Sequence, residues 1–314
     1  MQVQRLAVCG WDEAVPALLG ALEATGAFRA TRVVDHSSAA LVRARQVTGL
    51  PCAIHPAAAL RTEEIDAVLL ATPGHAAAAV DAVHRRPATL IVAPELLDPE
   101  SLRLIAAAAA EDALPLVALR PAFRGSGLAG VATAARHETI EALSLDVTGN
   151  HPRTLLQAAV VATLRMLPGV PSHVFASAWG SPCARGGIAV TLRYEDGRLA
   201  TLDVRRSDTP SFRVVADGID GPIAIRRPSA VGDPLQAEAD RAARIRTRDV
   251  DAAGLLAAEA AVLGAIETAL ETAEVVAPRV EPARQLHLIA ATPEARAAAP
   301  ARSTARGNLR LVVS

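Results

Sequence analysis

The stretch LAVCGWDEAV, residues 6–15, starts as the first strand and turn of a dinucleotide-binding unit does, with an apolar run closed by Gly10. It then carries Trp11, Asp12 and Glu13 where such a turn continues toward further glycines. A second glycine would let the backbone approach a diphosphate, whereas an acid at a helix start satisfies free N–H groups, which is the role expected of Asp12 or Glu13. Farther along, Arg120 and Arg124 fall at the junction of two differently patterned halves, where they could hold a carboxylate or phosphate or simply be solvated charges at the edge of a turn. All 32 residues counted as Lys plus Arg are arginine, so Schiff-base chemistry and lysine acid/base catalysis are excluded. No HExxH, CxxC, GxSxG or GxxxxGK[ST] string occurs.

Composition narrows the partners. The 32 basic residues nearly balance 33 acidic ones, leaving no single-sign field for nucleic acid or anionic lipid, and aromatics make up only 2% of the chain, too few for base-stacking platforms. A small molecule or another protein is the expected partner. Cys9, Cys52 and Cys183 are odd in number and widely separated, which gives neither a disulfide framework nor a metal-ligand spacing. No basic segment followed by an apolar one opens the sequence, and charges break the Ala-rich runs. The expectation is a cytoplasmic protein without a metal or a membrane span.

The elements that must position these residues read as α/β. Strands are predicted over 5–10, 32–35, 66–71, 88–92 and 115–119, with helices over 14–22, 38–47, 76–84 and 99–110 between them. That alternation predicts a Rossmann-type doubly wound parallel sheet over residues 1–119. Residues 120–296 change pattern: a strand over 140–147, a long helix over 153–167, a hairpin of 187–194 with 199–205 around Glu195-Asp196-Gly197, and further strands over 212–216 and 223–226. The expectation is an α+β domain whose mostly antiparallel, open sheet offers an oligomer surface. Arg241, Arg244, Arg246 and Arg248 lie in a charged stretch over 232–251, read as a solvated loop or helix end. Helices are predicted over 257–270 and 282–291, and a flexible tail over 297–314.

This order of elements, with Ala71-Thr72-Pro73-Gly74-His75 after the third strand, resembles the glucose-fructose oxidoreductase and inositol dehydrogenase (Gfo/Idh/MocA) family across residues 6–291. The resemblance implies NAD or NADP as cofactor and oxidation of a sugar or cyclitol hydroxyl or the reverse reduction. It places the glycine turn on Gly10, Asp12 and Val15, the ribose-binding acid on Asp35, and the nicotinamide-side loop on Thr72, Pro73 and His75. Asp35 equally suits the start of a helix. The family histidine of that loop would fall on Ala77, and the lysine of its Glu-Lys-Pro signature on Ala93, before Pro94. The histidine of its relay helix would become Ala159, with the accompanying acids at Val160 and Ala162 or Thr163. Alanine and valine cannot relay a proton. A thinner similarity, over 94–100 and 147–156, is to thiazolinyl imine reductases, whose expected substrate-side histidine and tyrosine would fall on Ala93 and on 120–123.

Three functions follow from these residues. One is a pseudoenzyme, a degenerate member without a cofactor that serves as an accessory subunit in a biosynthetic pathway, beside an active paralogue or as a homo- or hetero-oligomer through the C-terminal sheet. The second is an active NAD(P)-dependent imine or carbonyl reductase with relocated proton donors, for which His75, His151, Glu95 and the lone Tyr194 are the candidates. The third is a non-redox enzyme or binder holding a small molecule in the inter-domain cleft.

Overall fold

The computed structural model describes residues 3–62, 65–85, 88–111, 114–134, 139–180, 186–218, 221–223, 233–245 and 250–280. β1 (Gln4–Cys9) leads through the Gly10 turn into α1 (Val15–Ala24), β2 (Phe28–Val34) into α2 (Ser38–Thr48), and β3 (Cys52–Ala53) into α3 (Pro56–Thr62). β4 (Ala67–Leu70) with α4 (Ala76–His84), β5 (Thr89–Val92) with α5 (Pro99–Glu111), and β6 (Leu116–Ala118) complete the alternation. All pairings in this sheet are parallel, in the order β3-β2-β1-β4-β5-β6. The order reverses between β1 and β4, which opens a crevice at the carboxyl ends of those strands. β4, β5 and β6 at the centre and far side of the sheet are buried without alternation because helices cover both faces. Leu6, Val8, Leu69, Ile91 and Val117 share one core with α1 and α2, while Ala7, Cys9, Leu70, Leu90 and Val92 share the other with α4 and α5.

The chain then runs through α6 (Pro121–Gly125), α7 (Leu128–Ala134), β7 (Ile140–Gly149), α8 (Pro152–Met166), β8 (His173–Trp179), β9 (Gly187–Arg193), β10 (Leu199–Arg206), β11 (Ser211–Gly218) and β12 (Gly221–Ile223). The second sheet has the order β12-β11-β7-β10-β9-β8, with β10 parallel to β7 and every other pairing antiparallel. The β9–β10 hairpin turns at the expected Glu195-Asp196-Gly197, where Gly197 takes φ +91°. Residues of α8, among them Leu156, Val160 and Leu164, fill the core on one side of this sheet. The other face carries half-exposed Phe175, Trp179, Leu199 and Val215.

Two helices return to the first sheet. α9 (Pro234–Arg244) buries Ala239 and Ala242 in the core that holds Ile91, Val117 and α1. α10 (Val250–Thr272) gives Leu256 and Ala260 to the core of the first sheet and Val262, Ile266 and Ala269 to the core of the second. By length and composition α10 could cross a membrane, which corrects the expectation that charges would keep every helix below that limit. Its two ends instead line two protein cores, and it carries Glu259 fully buried on an arginine, the marks of a core helix.

The stretch over 232–251, read as a solvated loop or helix end, includes the whole of α9. Asp233 caps it by accepting the Leu235 N–H, and its polar sequence hides the buried Glu238. β3 and β8 were not anticipated, the first because two residues carry no period. The expected helix over 282–291, the tail over 297–314, Cys183, Arg246 and Arg248 lie outside the described residues.

Candidate functional site

Gly10, Asp35, Thr72 and His75 come together at the carboxyl ends of β1, β2 and β4. Gly10 adopts φ +88°, and the Thr72 side chain packs so closely on it that a Cβ there would stand 1.8 Å from Thr72 Oγ1. Asp35, buried at the end of β2, accepts the Trp11 N–H on Oδ2 at 2.8 Å and the Ser37 N–H on Oδ1 at 2.7 Å. The second of these forms an Asx turn that leads into α2, whose cap is Ser37 Oγ on the Ala40 N–H. Asp35 thus takes up its helix-starting role, and both of its oxygens serve the two loops on either side of it.

The 3-10 turn Pro73–His75 seals the same corner. His75 is 5% exposed, with Nδ1 at 2.8 Å from Thr72 Oγ1 and Nε2 at 3.2 Å from the His36 N–H, which it accepts. The exposed His36 ring stacks on it at 4.6 Å. Burial holds the His75 pKa below the ordinary value, His36 adds to that, and Asp35 opposes both. Pro73 contributes its carbonyl, which accepts from Ser101 Oγ on α5 at 3.2 Å.

The seat for a diphosphate is differently furnished. Asp12 Oδ1 accepts the Ala14 N–H at 2.8 Å, so a carboxylate already occupies the mouth of α1, and Val15 presents a fully buried side chain where the resemblance would place a third glycine. A helix N-terminus attracts one anion well, and a second negative group beside Asp12 meets repulsion in place of free amides. The residues present do not fit a dinucleotide diphosphate.

The positions aligned with proton-relay groups are packing residues. Ala93, Ala159, Val160 and Ala162 are all buried, and Thr163 Oγ1 donates to the Ala159 carbonyl of its own helix. Ala77 is exposed. Of the relocated candidates, His151 is exposed at the start of α8 without a side-chain cap bond. Tyr194 lies in the second core beneath the Arg198 guanidinium, its hydroxyl enclosed without a partner and its pKa pushed up to about 12 by burial. Tyr194 does not belong to the crevice.

Glu95 does lie at the carboxyl end of β5. Its Oε1 accepts the N–H groups of Ala122 and Phe123 at 3.0 and 3.2 Å, capping α6. Burial of this carboxyl raises its pKa to about 7, against the pull of those two amides and of Arg120, while Glu259 adds to the rise. Its folded-state pKa therefore exceeds the ordinary 4.5, so this group's contribution to stability is complete below that value and is lost as pH rises through about 7. The melting temperature of wild type relative to Glu95→Gln is expected to fall between those pH values. A flat difference in paired thermal melts would contradict this.

Behind Glu95 lies a polar cluster that sequence reasoning missed. Arg120 Nη2 donates to Glu259 Oε2 at 2.6 Å, and Gln157 Nε2 donates to Glu259 Oε1 at 2.9 Å and to the Pro94 carbonyl at 2.7 Å, all of it buried. Glu238 accepts from the Arg120 N–H, from Arg124 Nε and from Arg241 Nη2, and Arg241 also bonds the Ala118 carbonyl. Burial pushes the Glu238 carboxyl up, but Arg241, the Arg120 amide and Arg124 outweigh it and hold it below its usual range. Arg120 and Arg124 are thus committed to internal carboxylates, which corrects both expectations for them, an anion site and solvated charges. The signal was present: Glu259 and Gln157 are lone polar residues inside apolar helical runs, the pattern of a buried group that has a partner.

No protein-family model matches the chain, and no curated protein matches it by sequence. Solved structures do. A myo-inositol dehydrogenase from Corynebacterium glutamicum superposes with a TM-score of 0.65 at 14% identity, over 88% of this chain and 99% of that one. The fold is that of the Gfo/Idh/MocA dehydrogenases. GenD2 from gentamicin A biosynthesis, solved with NAD, gives a TM-score of 0.68 at 17% identity over 89% of this chain and 97% of its own. The WlbA dehydrogenase from Bordetella pertussis, solved with NADH and UDP-GlcNAcA, gives 0.65 at 17% identity over 90% and 99%. The Gfo/Idh/MocA fold therefore extends through both sheets of this chain.

Proposed function

We propose that the chain is an oxidoreductase-fold protein that does not transfer hydride, an accessory subunit in a biosynthetic pathway that works beside an active paralogue or a small molecule bound between its two halves. The observation that carries this reading is the Asp12 carboxylate on the Ala14 amide, where the resemblance would seat a diphosphate. Buried Ala93 and Ala159, at the positions where the resemblance would put a lysine and a histidine, support it. The open face of the second sheet, with Phe175, Trp179, Leu199 and Val215 half-exposed, supports assembly into a homo- or hetero-oligomer through that face. A soluble, cytoplasmic setting goes with this reading.

Calorimetric titration with NADH and separately with NADPH tests it. The expected result is no heat at millimolar nucleotide; micromolar binding of either would overturn the proposal. Binding would favour a second reading, an active NAD(P)-dependent reductase, for which the enclosed Glu95 carboxyl at the end of β5 is the specific observation. Glu95→Gln would then abolish turnover while leaving nucleotide binding intact.

A further inference from the structure

The His75 imidazole is wired to two loops at once. It lies 5% exposed, and one of its partners, the His36 N–H, fixes the direction of both of its hydrogen bonds. The His36 backbone N–H can only donate, so Nε2, at 3.2 Å, must carry a lone pair. The proton of the neutral ring is therefore on Nδ1, which donates to Thr72 Oγ1 at 2.8 Å. Asp35 Oδ1 stands 3.9 Å from Nε2, near enough to attract a charged ring and too far to bond the neutral one.

We propose that His75 is a proton-operated latch on the turn between β2 and α2, closed when the imidazole is neutral and opened when Nε2 gains a proton. The new N–H would point at the His36 N–H, turning an attractive contact into donor against donor. The nearest acceptor for it is Asp35 Oδ1, which in the closed state holds the Ser37 N–H at 2.7 Å. A protonated ring thus competes with the Asx turn that starts α2, and residues 36 and 37 must shift for both donors to be satisfied.

The charged groups around the ring set the balance. Asp35 favours the proton, and His36, stacked at 4.6 Å, opposes it by burying one face of the ring and by its own charge when protonated. Cys9, whose thiol is pushed far up by burial and by Asp35, stays neutral, and on the α5 side Ser101 brings only a hydroxyl to the Pro73 carbonyl. Burial disfavours the imidazolium, so the latch opens below the ordinary histidine value of 6.5. The switch needs no dinucleotide, because every group in it belongs to the chain.

Nitrogen-15 NMR on the full chain tests it, with the imidazole nitrogens of His75 and the amides of His36 and Ser37 followed from about pH 4.5 to about pH 8. The expected result is an Nδ1-protonated tautomer at the upper end, and His36 and Ser37 amides that titrate with the His75 ring at one midpoint below 6.5. His75→Gln, which retains an acceptor and has no proton to gain, is expected to flatten both amide curves, and His36→Leu to move the midpoint. An Nε2-protonated tautomer at high pH would overturn the proposal. So would amides that stay flat in wild type, or that titrate unchanged in His75→Gln. The tautomer is read on wild type, so the test stands even if a variant fails to fold.

Discussion

Replacing Glu259 by leucine is expected to destabilise the protein by about 3–5 kcal/mol, the usual cost of leaving one member of a buried ion pair unpaired. Arg120 is 4% exposed and its guanidinium has Glu259 as its charged partner at 2.6 Å, so removal of the carboxylate strands a buried cation and also takes one of the two acceptors of Gln157 Nε2. The double replacement Arg120→Met with Glu259→Leu removes both charges and restores apolar volume. It is expected to recover most of the loss, since a well-packed apolar substitute for a buried pair is often neutral or better. Urea unfolding of the four proteins of this cycle gives the result directly. A single mutant within about 1 kcal/mol of wild type would mean that water or a shifted side chain reaches the Arg120 guanidinium.

The second large effect is expected at Gly10. Gly10→Ala meets two independent penalties, a left-handed backbone at φ +88° and a methyl group 1.8 Å from Thr72 Oγ1 and 2.7 Å from Thr72 Cβ. The first costs about 1–2 kcal/mol. The second, overpacking against an atom on the stem of the side chain, costs about 1–3 kcal/mol. Together they predict a loss of roughly 3 kcal/mol in the folding free energy. Thr72→Gly clears the space without relieving the backbone, so the double mutant should regain only the overpacking share, and the size of that share is what the cycle measures. Equal stability of Gly10→Ala and wild type would show that the turn adjusts freely, and Gly10 would then be no constraint on the crevice.

What could be read from the sequence divides along physical lines. The parallel sheet was legible because β1, β4 and β5 carry short apolar runs (LAVC, AVLL and LIV) set between helical periods, and the β9–β10 hairpin because Glu195-Asp196-Gly197 is a turn in its own right. Asp12 as an acid that satisfies a free N–H just ahead of α1 was legible from residue type alone. α9 was not, because PLQAEADRAAR reads as a charged stretch and conceals that three donors converge on Glu238. Arg120 was read as an anion ligand or a solvated charge and so missed its partner, since the choice between these and Glu259 depends on a contact 139 residues away. His75 was picked out for its chemistry. Its partner His36 was passed over because a stacked pair drawn from two loops leaves no periodic trace.

α10 has a consequence for the order in which the molecule is made. One helix supplies Leu256 and Ala260 to the first core and Val262, Ile266 and Ala269 to the second, and Glu259, between them, neutralises Arg120 at the junction. A nascent chain that has passed β6 has all the strands of its first sheet and still lacks the part of one wall that Leu256 and Ala260 add beside α4 and α5. That part arrives with the same segment that completes the other half. The two halves are therefore joined in time as well as in space: neither closes until residues 250–272 have been synthesised, and the same helix then ends the wait for both.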